Sequence, residues 1–222
     1  MVRTREVAGG GRAVEVEPER LLGWFARFAE RHGGPLAVDG TAGHLRFRAT
    51  DGATAEVTVP FGGLDPDVGG DPVAALHAHL IAPRRIGIVL VRLGGYSLGV
   101  AVGGVVEAST TGSRLVHGRN RKGGSSSGRF ARRRDNQARA ALDAAADAVA
   151  RFLLPVADTL DAVVLGGDTA ALDELRADRR LTALLARAEP RVLDVPEPRR
   201  AVLDDAARRA LAVEIVVHDP PS

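Results

Sequence analysis

The sequence predicts an α/β protein: a mixed β-sheet flanked by helices over residues 84–222, preceded by a small α+β region over residues 1–83. Three features carry that expectation. Three apolar or alternating runs, 86–93, 96–102 and 105–111, are joined by Gly94-Gly95 and Gly103-Gly104, the pattern of a β-meander with tight turns. Phe130, Arg134, Ala138, Leu142, Ala145, Val149 and Phe152 recur at steps of three and four, one stripe along a long helix. After it, strand-like and helix-like segments alternate, which following an antiparallel meander gives a mixed sheet with helices on it.

In chain order, residues 1–12 end in a glycine triplet and read as a loose terminus. Leu21, Leu22, Phe25, Phe28 and Ala29 mark an amphipathic helix from Glu17 to His32, with Pro18 in its first turn and Gly33-Gly34 after its end. Leu45, Phe47 and Ala49 alternate with Arg46 and Arg48, and Val57 and Val59 flank Thr58, so two short strands follow, joined by an Asp51-Gly52 turn. Asp71-Pro72 reads as the N-cap and first residue of a helix through Ile81. Pro155 marks the end of the long helix. A strand at 162–165 closed by Gly166-Gly167, a helix over 169–188, a short strand at Val192-Leu193, a helix over 199–211 and a final strand over 213–217 complete the second part.

Composition excludes several chemistries. With no cysteine, the chain has no disulfide framework, thiol nucleophile or thiolate zinc site. No apolar stretch reaches the roughly 18–20 residues of a membrane span, and the N-terminus lacks the apolar core of a signal peptide. The expectation is a cytoplasmic, monomeric protein with no cofactor and no membrane contact. The net charge is only +2, yet residues 114–139 hold nine bases against one acid, Asp135, a local +8. The other twenty-one bases face twenty-seven acids, so the rest of the chain carries −6. Basicity concentrated in one window of an otherwise acidic chain is an electrostatic footprint for a polyanion, and arginine suits phosphate and base stacking.

The window contains His117-Gly118-Arg119-Asn120-Arg121-Lys122-Gly123-Gly124-Ser125-Ser126-Ser127-Gly128-Arg129-Phe130-Ala131-Arg132-Arg133-Arg134. Its glycines let the backbone approach a ligand closely. Backbone N–H groups just before a helix form a site for an anion or a developing oxyanion, and the flanking bases would hold phosphates and aim the tip. A flexible Gly/Ser linker would not need bases on both flanks and a helix at once. A P-loop would need lysine where Gly124 stands. An RNA-binding patch without chemistry remains the rival reading.

These residues resemble the central domain of eukaryotic and archaeal polypeptide release factors. There, His-Gly-Arg precedes a Gly-Gly-Gln loop followed by Ser-Ala-Leu-Arg-Phe-Ala-Arg-Leu-Arg. Here His117-Gly118-Arg119 precedes a gapless match from Gly123 through Arg134. The chain is similar above all to the Vms-like release factors and their actinobacterial relatives, over roughly residues 84–218, while residues 1–83 lie outside the resemblance. The resemblance implies a peptidyl-tRNA hydrolase that rescues stalled ribosomes or large subunits. Gly123, Gly124, Ser125 and Ser126 would form its catalytic tip. Arg119, Arg121, Lys122, Arg129, Arg132, Arg133 and Arg134 would hold RNA, with the large subunit and peptidyl-tRNA as partners. The family's glutamine is replaced: gapless pairing puts Ser125 there and the Gly-x-x-Gln pattern puts Ser126 there. The only glutamine of the chain is Gln137, about two turns into the helix if that begins near Arg129; it joins the catalytic candidates and reaches the tip only if the loop folds back. The rival on the same scaffold is a non-catalytic ribosome- or tRNA-binding factor.

Other chemistry-bearing residues read as structural. His77 and His79, two apart on a helix, point about 200° apart and cannot share a metal ion. Asp161, Asp168, Asp204 and Asp205 read as caps and solvated positions, and Trp24 and Phe25 as core.

Overall fold

A computed structural model describes residues 3–7, 10–64, 70–92, 94–113 and 127–220, with the side chains of residue 3 and residues 127–136 excepted. The chain divides into two compact units: Met1–Pro83 with Leu211–Ser222, and Arg84–Ala210.

The first unit is a six-stranded antiparallel sheet with two helices. Its elements are β1 (Arg3–Val7), β2 (Gly11–Val16), α1 (Pro18–Arg31), β3 (Ala37–Thr41), β4 (His44–Arg48), β5 (Thr54–Thr58), α2 (Pro72–Ile81) and β11 (Val213–His218), in the sheet order β1-β2-β11-β5-β4-β3. The apolar stripe of α1 buries Leu21, Phe25 and Phe28 with Leu76 and Leu80 of α2. They pack against the inward parity of the sheet: Val14, Val16, Leu45, Phe47, Val57 and Ile215. Asp71 caps α2 by accepting from the Val73 amide at 2.9 Å, with Pro72 at the first helical position. The Asp51-Gly52 turn closes β4 onto β5, with Gly52 at φ 93°.

The second unit is a mixed five-stranded sheet in the order β10-β9-β6-β7-β8. The strands are β6 (Arg85–Arg92), β7 (Gly95–Val102), β8 (Val105–Ser113), β9 (Ala162–Gly167) and β10 (Ala188–Leu193). β6, β7 and β8 form the expected meander. β9 runs parallel to β6, and β10 parallel to β9. Gly103 and Gly104, at φ 56° and 80°, make the two-residue turn between Val102 and Val105. β6 is apolar almost throughout because both sheet faces are covered. On one face Val89, Val91, Leu98 and Val100 meet α3 (Ser127–Leu153) and α4 (Thr169–Ala177). On the other, α6 (Arg200–Ala210) sets Leu203 close against Gly99, where a Cβ would stand 3.0 Å from its side chain. This is the mixed sheet flanked by helices that the sequence predicts.

Four expectations change. Residues 1–12 are not a loose terminus throughout: β1 pairs antiparallel with β2 from Arg3↔Glu15 to Val7↔Gly11, so Gly10 and Gly11 serve a hairpin. β3, with Asp39 and a left-handed Gly40 at φ 145°, escapes the alternation pattern because it is a polar edge strand. The helix expected over 169–188 is broken at Asp178, which caps a 3-10 turn by accepting from the Arg180 amide. The short α5 (Thr182–Leu185) follows. The final strand, expected with the second part, pairs with β2 and β5 in the first sheet.

Candidate functional site

The basic window joins the end of edge strand β8 to α3, the longest helix described. Residues 138–150 are mostly alanine and other good helix formers, without glycine or proline, so a helix of 27 residues is intrinsically favoured. Its C-terminal part is the anchor: Ala145, Ala146, Ala148, Val149 and Leu153 are buried. None of the side chains from Gln137 to Ala144 is. At 1.5 Å per residue, Ser127 lies about 27 Å along the axis from Ala145. The scaffold thus holds α3 by its C-terminal turns and carries the catalytic candidates beyond its other end in sequence.

A clamp fixes that anchor sideways. The Arg180 guanidinium donates to Asp147 of α3 at 2.8 Å and to Asp178 at 2.6 Å. Its hydrogen bonds hold the Asp178 carboxyl below its usual range. Asp178 first, then Asp147, raise the guanidinium above its own ordinary value. Next to the clamp, Ala138, Arg139, Leu142, Asp143 and Ala146 of α3 face Glu174 and Ala177 of α4 and Asp178 across a cleft of about 470 Å³.

Gly123, Gly124, Ser125 and Ser126, together with Arg119, Arg121, Lys122 and His117, lie outside the described residues. Arg129, Arg132, Arg133 and Arg134 belong to the α3 backbone. At 100° per residue, positions 129, 132, 133 and 139 fall within an arc of about 120°, with 134 apart from them. Gln137 is half-buried on the same helix, ten residues and about 15 Å along the axis from Ser127.

The remaining polar candidates are engaged structurally. Asp161 accepts from the Arg85 amide at 2.7 Å, and Asp168 pairs with Arg92 at 2.9 Å. Asp204 pairs with Arg200, and Asp205 with Arg208. The His79 ring lies 2.9 Å from the Pro60 carbonyl. Among the described residues no three His, Cys, Asp or Glu side chains gather as for a metal ion, and no helix is long and apolar enough to cross a membrane. Phe25 is buried as expected, but Trp24 is only partly so. Sequence reasoning missed the Arg180 clamp. Its one local signal is Asp178 two residues before Arg180, whereas Asp147 is 33 residues away.

A sheet that delivers a glycine- and arginine-rich segment to a long anchored helix is the architecture expected of a release-factor catalytic domain. Residues 84–216, which are 133 of the 222, match the family described as Actinobacteria/chloroflexi VLRF1 release factor, and the chain belongs to that family. The matched span starts at the first residue of the second unit and ends within β11. Among solved structures the chain is similar to the crystal structure of the archaeal translation termination factor aRF1, at 13% identity and a TM-score of 0.43. That likeness covers 90% of this chain and 66% of the archaeal one, so the chain spans just under two thirds of that protein's length. No curated protein matches the sequence.

Proposed function

We propose that this release-factor family member is a peptidyl-tRNA hydrolase that frees nascent chains from stalled ribosomes or large subunits, acting in the cytoplasm as a monomer. The observation that carries the reading is the placement of Gly123-Gly124-Ser125-Ser126 between basic flanks at the head of α3, in a chain of this family. Arg119, Arg121, Lys122, Arg129, Arg132, Arg133 and Arg134 bind RNA phosphates and set where the tip points. At the tip, backbone N–H groups and a serine hydroxyl orient a water against the ester carbonyl. The water oxygen bonds to that carbon, the bond to the tRNA 3′ oxygen breaks, and that oxygen takes up the proton the water gives up. Orientation and oxyanion stabilisation supply the rate, with no strong base required.

The missing loop glutamine favours one rival: a non-catalytic ribosome- or tRNA-binding factor on the same scaffold. Release of a labelled peptide from peptidyl-tRNA in purified 50S and 70S complexes separates the two. The expected result is release by the wild type and a loss of at least tenfold with Gly124→Ala, at unchanged co-sedimentation with ribosomes. Absence of release by the wild type, together with salt-sensitive co-sedimentation, would establish the binding factor instead. Gln137→Ala should retain most of the activity if the tip works through its backbone and serines.

A further inference from the structure

We infer that the first unit carries a separate RNA-binding site, a basic and aromatic cleft that takes a phosphodiester and one unstacked base of single-stranded RNA. Its residues are Arg12, Trp24, Arg27 and Arg31. On α1, Arg20, Trp24, Arg27 and Arg31 follow one another at steps of four, three and four, which puts them within an arc of about 60°. On β2, Arg12 shares the parity of Val14 and Val16, the residues packed under α1, and sits opposite Val217 of β11. Strand end and helix face thus converge on a cleft of about 150 Å³. That is well below the roughly 300–1,000 Å³ of an enclosed small-molecule pocket, and it suits one phosphate or the edge of one base.

The charges in this cleft are not consumed internally. Arg20 pairs with Glu17, but Arg12, Arg27 and Arg31 form no ion pair or side-chain hydrogen bond among the described residues. Of the acids nearby, Asp219 lines the cleft itself, Asp51 pairs with His32 of its wall, and Glu30 is one position from Arg31 on α1. His32 is held by Asp51 at 2.8 Å and leans on Phe28, so it serves as wall rather than ligand. The unit as a whole is acidic, with eight arginines against thirteen Asp and Glu over 1–83 and 211–222. Three unpaired guanidiniums in one place therefore reflect arrangement and not overall excess, and all three are exposed and open to an anion from outside.

The aromatic floor selects nucleic acid among anions. Trp24 is partly buried against the core yet lines the cleft, and its ring lies parallel to Phe28, 8° off at 5.4 Å, with Phe25 edge-on at 5.0 Å. An indole fixed in this way beside guanidinium groups offers a stacking platform next to phosphate contacts, the pairing that single-stranded RNA sites use. An acidic peptide would engage the arginines and leave the indole idle. The site stands whether or not the second unit hydrolyses an ester.

Trp24 is the only tryptophan in the chain, so its emission reports on this cleft alone. Titration of the full chain with single-stranded octauridylate should quench that emission saturably, and raised salt should weaken binding. Arg27→Gln with Arg31→Gln should weaken binding at least tenfold with an unchanged circular dichroism melt. Arg12→Gln, on a different element, should weaken it several-fold and guards against a local defect in α1. A variant with Arg129, Arg132 and Arg133 changed to alanine should keep the quench. Absence of binding, binding with unchanged Trp24 emission, wild-type affinity in the glutamine variants, or equal quenching by polyglutamate would each overturn the site.

Discussion

Gln137 illustrates what position on a helix does to chemistry. It is half-buried on α3, and the helical rise keeps it about 15 Å along the axis from Ser127, whereas a group that orients a water must come within hydrogen-bond reach of it. That is why the proposed reaction rests on Gly124 and the two serines. A different residue-scale effect operates in the first unit. Asp51 accepts from the Ala53 amide at 2.9 Å and meets His32 at 2.8 Å. The amide bond first and His32 next hold its carboxyl below the usual value. A carboxyl depressed in the folded state contributes stability above its unfolded pKa of about 4, and that contribution is lost as pH falls through the lower folded value. Asp51→Asn keeps the turn's acceptor oxygen and removes the charge. Its urea midpoint should therefore fall below wild type at pH 6, and the gap should narrow as pH falls below about 4. A difference that stays unchanged as the pH is lowered from 6 to 2 would reject the linkage.

At the scale of elements, α3 is held through one end. Val149 and Leu153 are fully buried and Ala145, Ala146 and Ala148 nearly so, and they seat the helix on β6 and β7. The Arg180 clamp adds lateral restraint. The clamp is half-exposed and worth only about 0.2–1 kcal/mol for each pair, so packing dominates the anchoring. Leu153→Ala leaves a cavity beneath the helix and should cost about 2–5 kcal/mol in urea unfolding, while peptide release per folded molecule stays near wild type. The break of the expected 169–188 helix at Asp178 matters for the same reason. The 3-10 turn it caps contains Arg180, and that turn is what brings the guanidinium to Asp147.

For the whole molecule, the decisive feature is segregation of charge: +8 within residues 114–139 and −6 elsewhere. Such a charge distribution draws polyanions to the basic window and disfavours them over much of the remainder. Counterion release sets the test. Changing Arg129, Arg132 and Arg133 together to alanine should lower the slope of log K against log salt for ribosome binding by about 2–3. An unchanged slope would mean those positions do not meet phosphate. The same segregation gives the cleft in the first unit its interest, since there the unpaired arginines sit in an acidic unit.

The elements built on local periodicity could be read directly: α1 from its three-and-four spacing, the meander from its glycine pairs, α3 from its stripe, and the basic window from its composition. Each depends only on residues near one another in sequence, and the release-factor family followed from the same stretch. Partner choice was not legible. Val213, Ile215 and Val217 alternate as any half-buried strand does, and only long-range register places them between β2 and β5. β1 and β3 escaped because short polar edge strands bury too little to leave a pattern. Trp24 read as core because an aromatic on an apolar helix usually is. Its place at the mouth of a cleft with Arg12 depends on β2 packing against α1, and likewise Arg180 reaches Asp147 only because α4 lies on α3. Hydrophobic spacing is written along the chain, whereas the meeting of distant side chains is settled by packing, and both the clamp and the cleft are of that second kind.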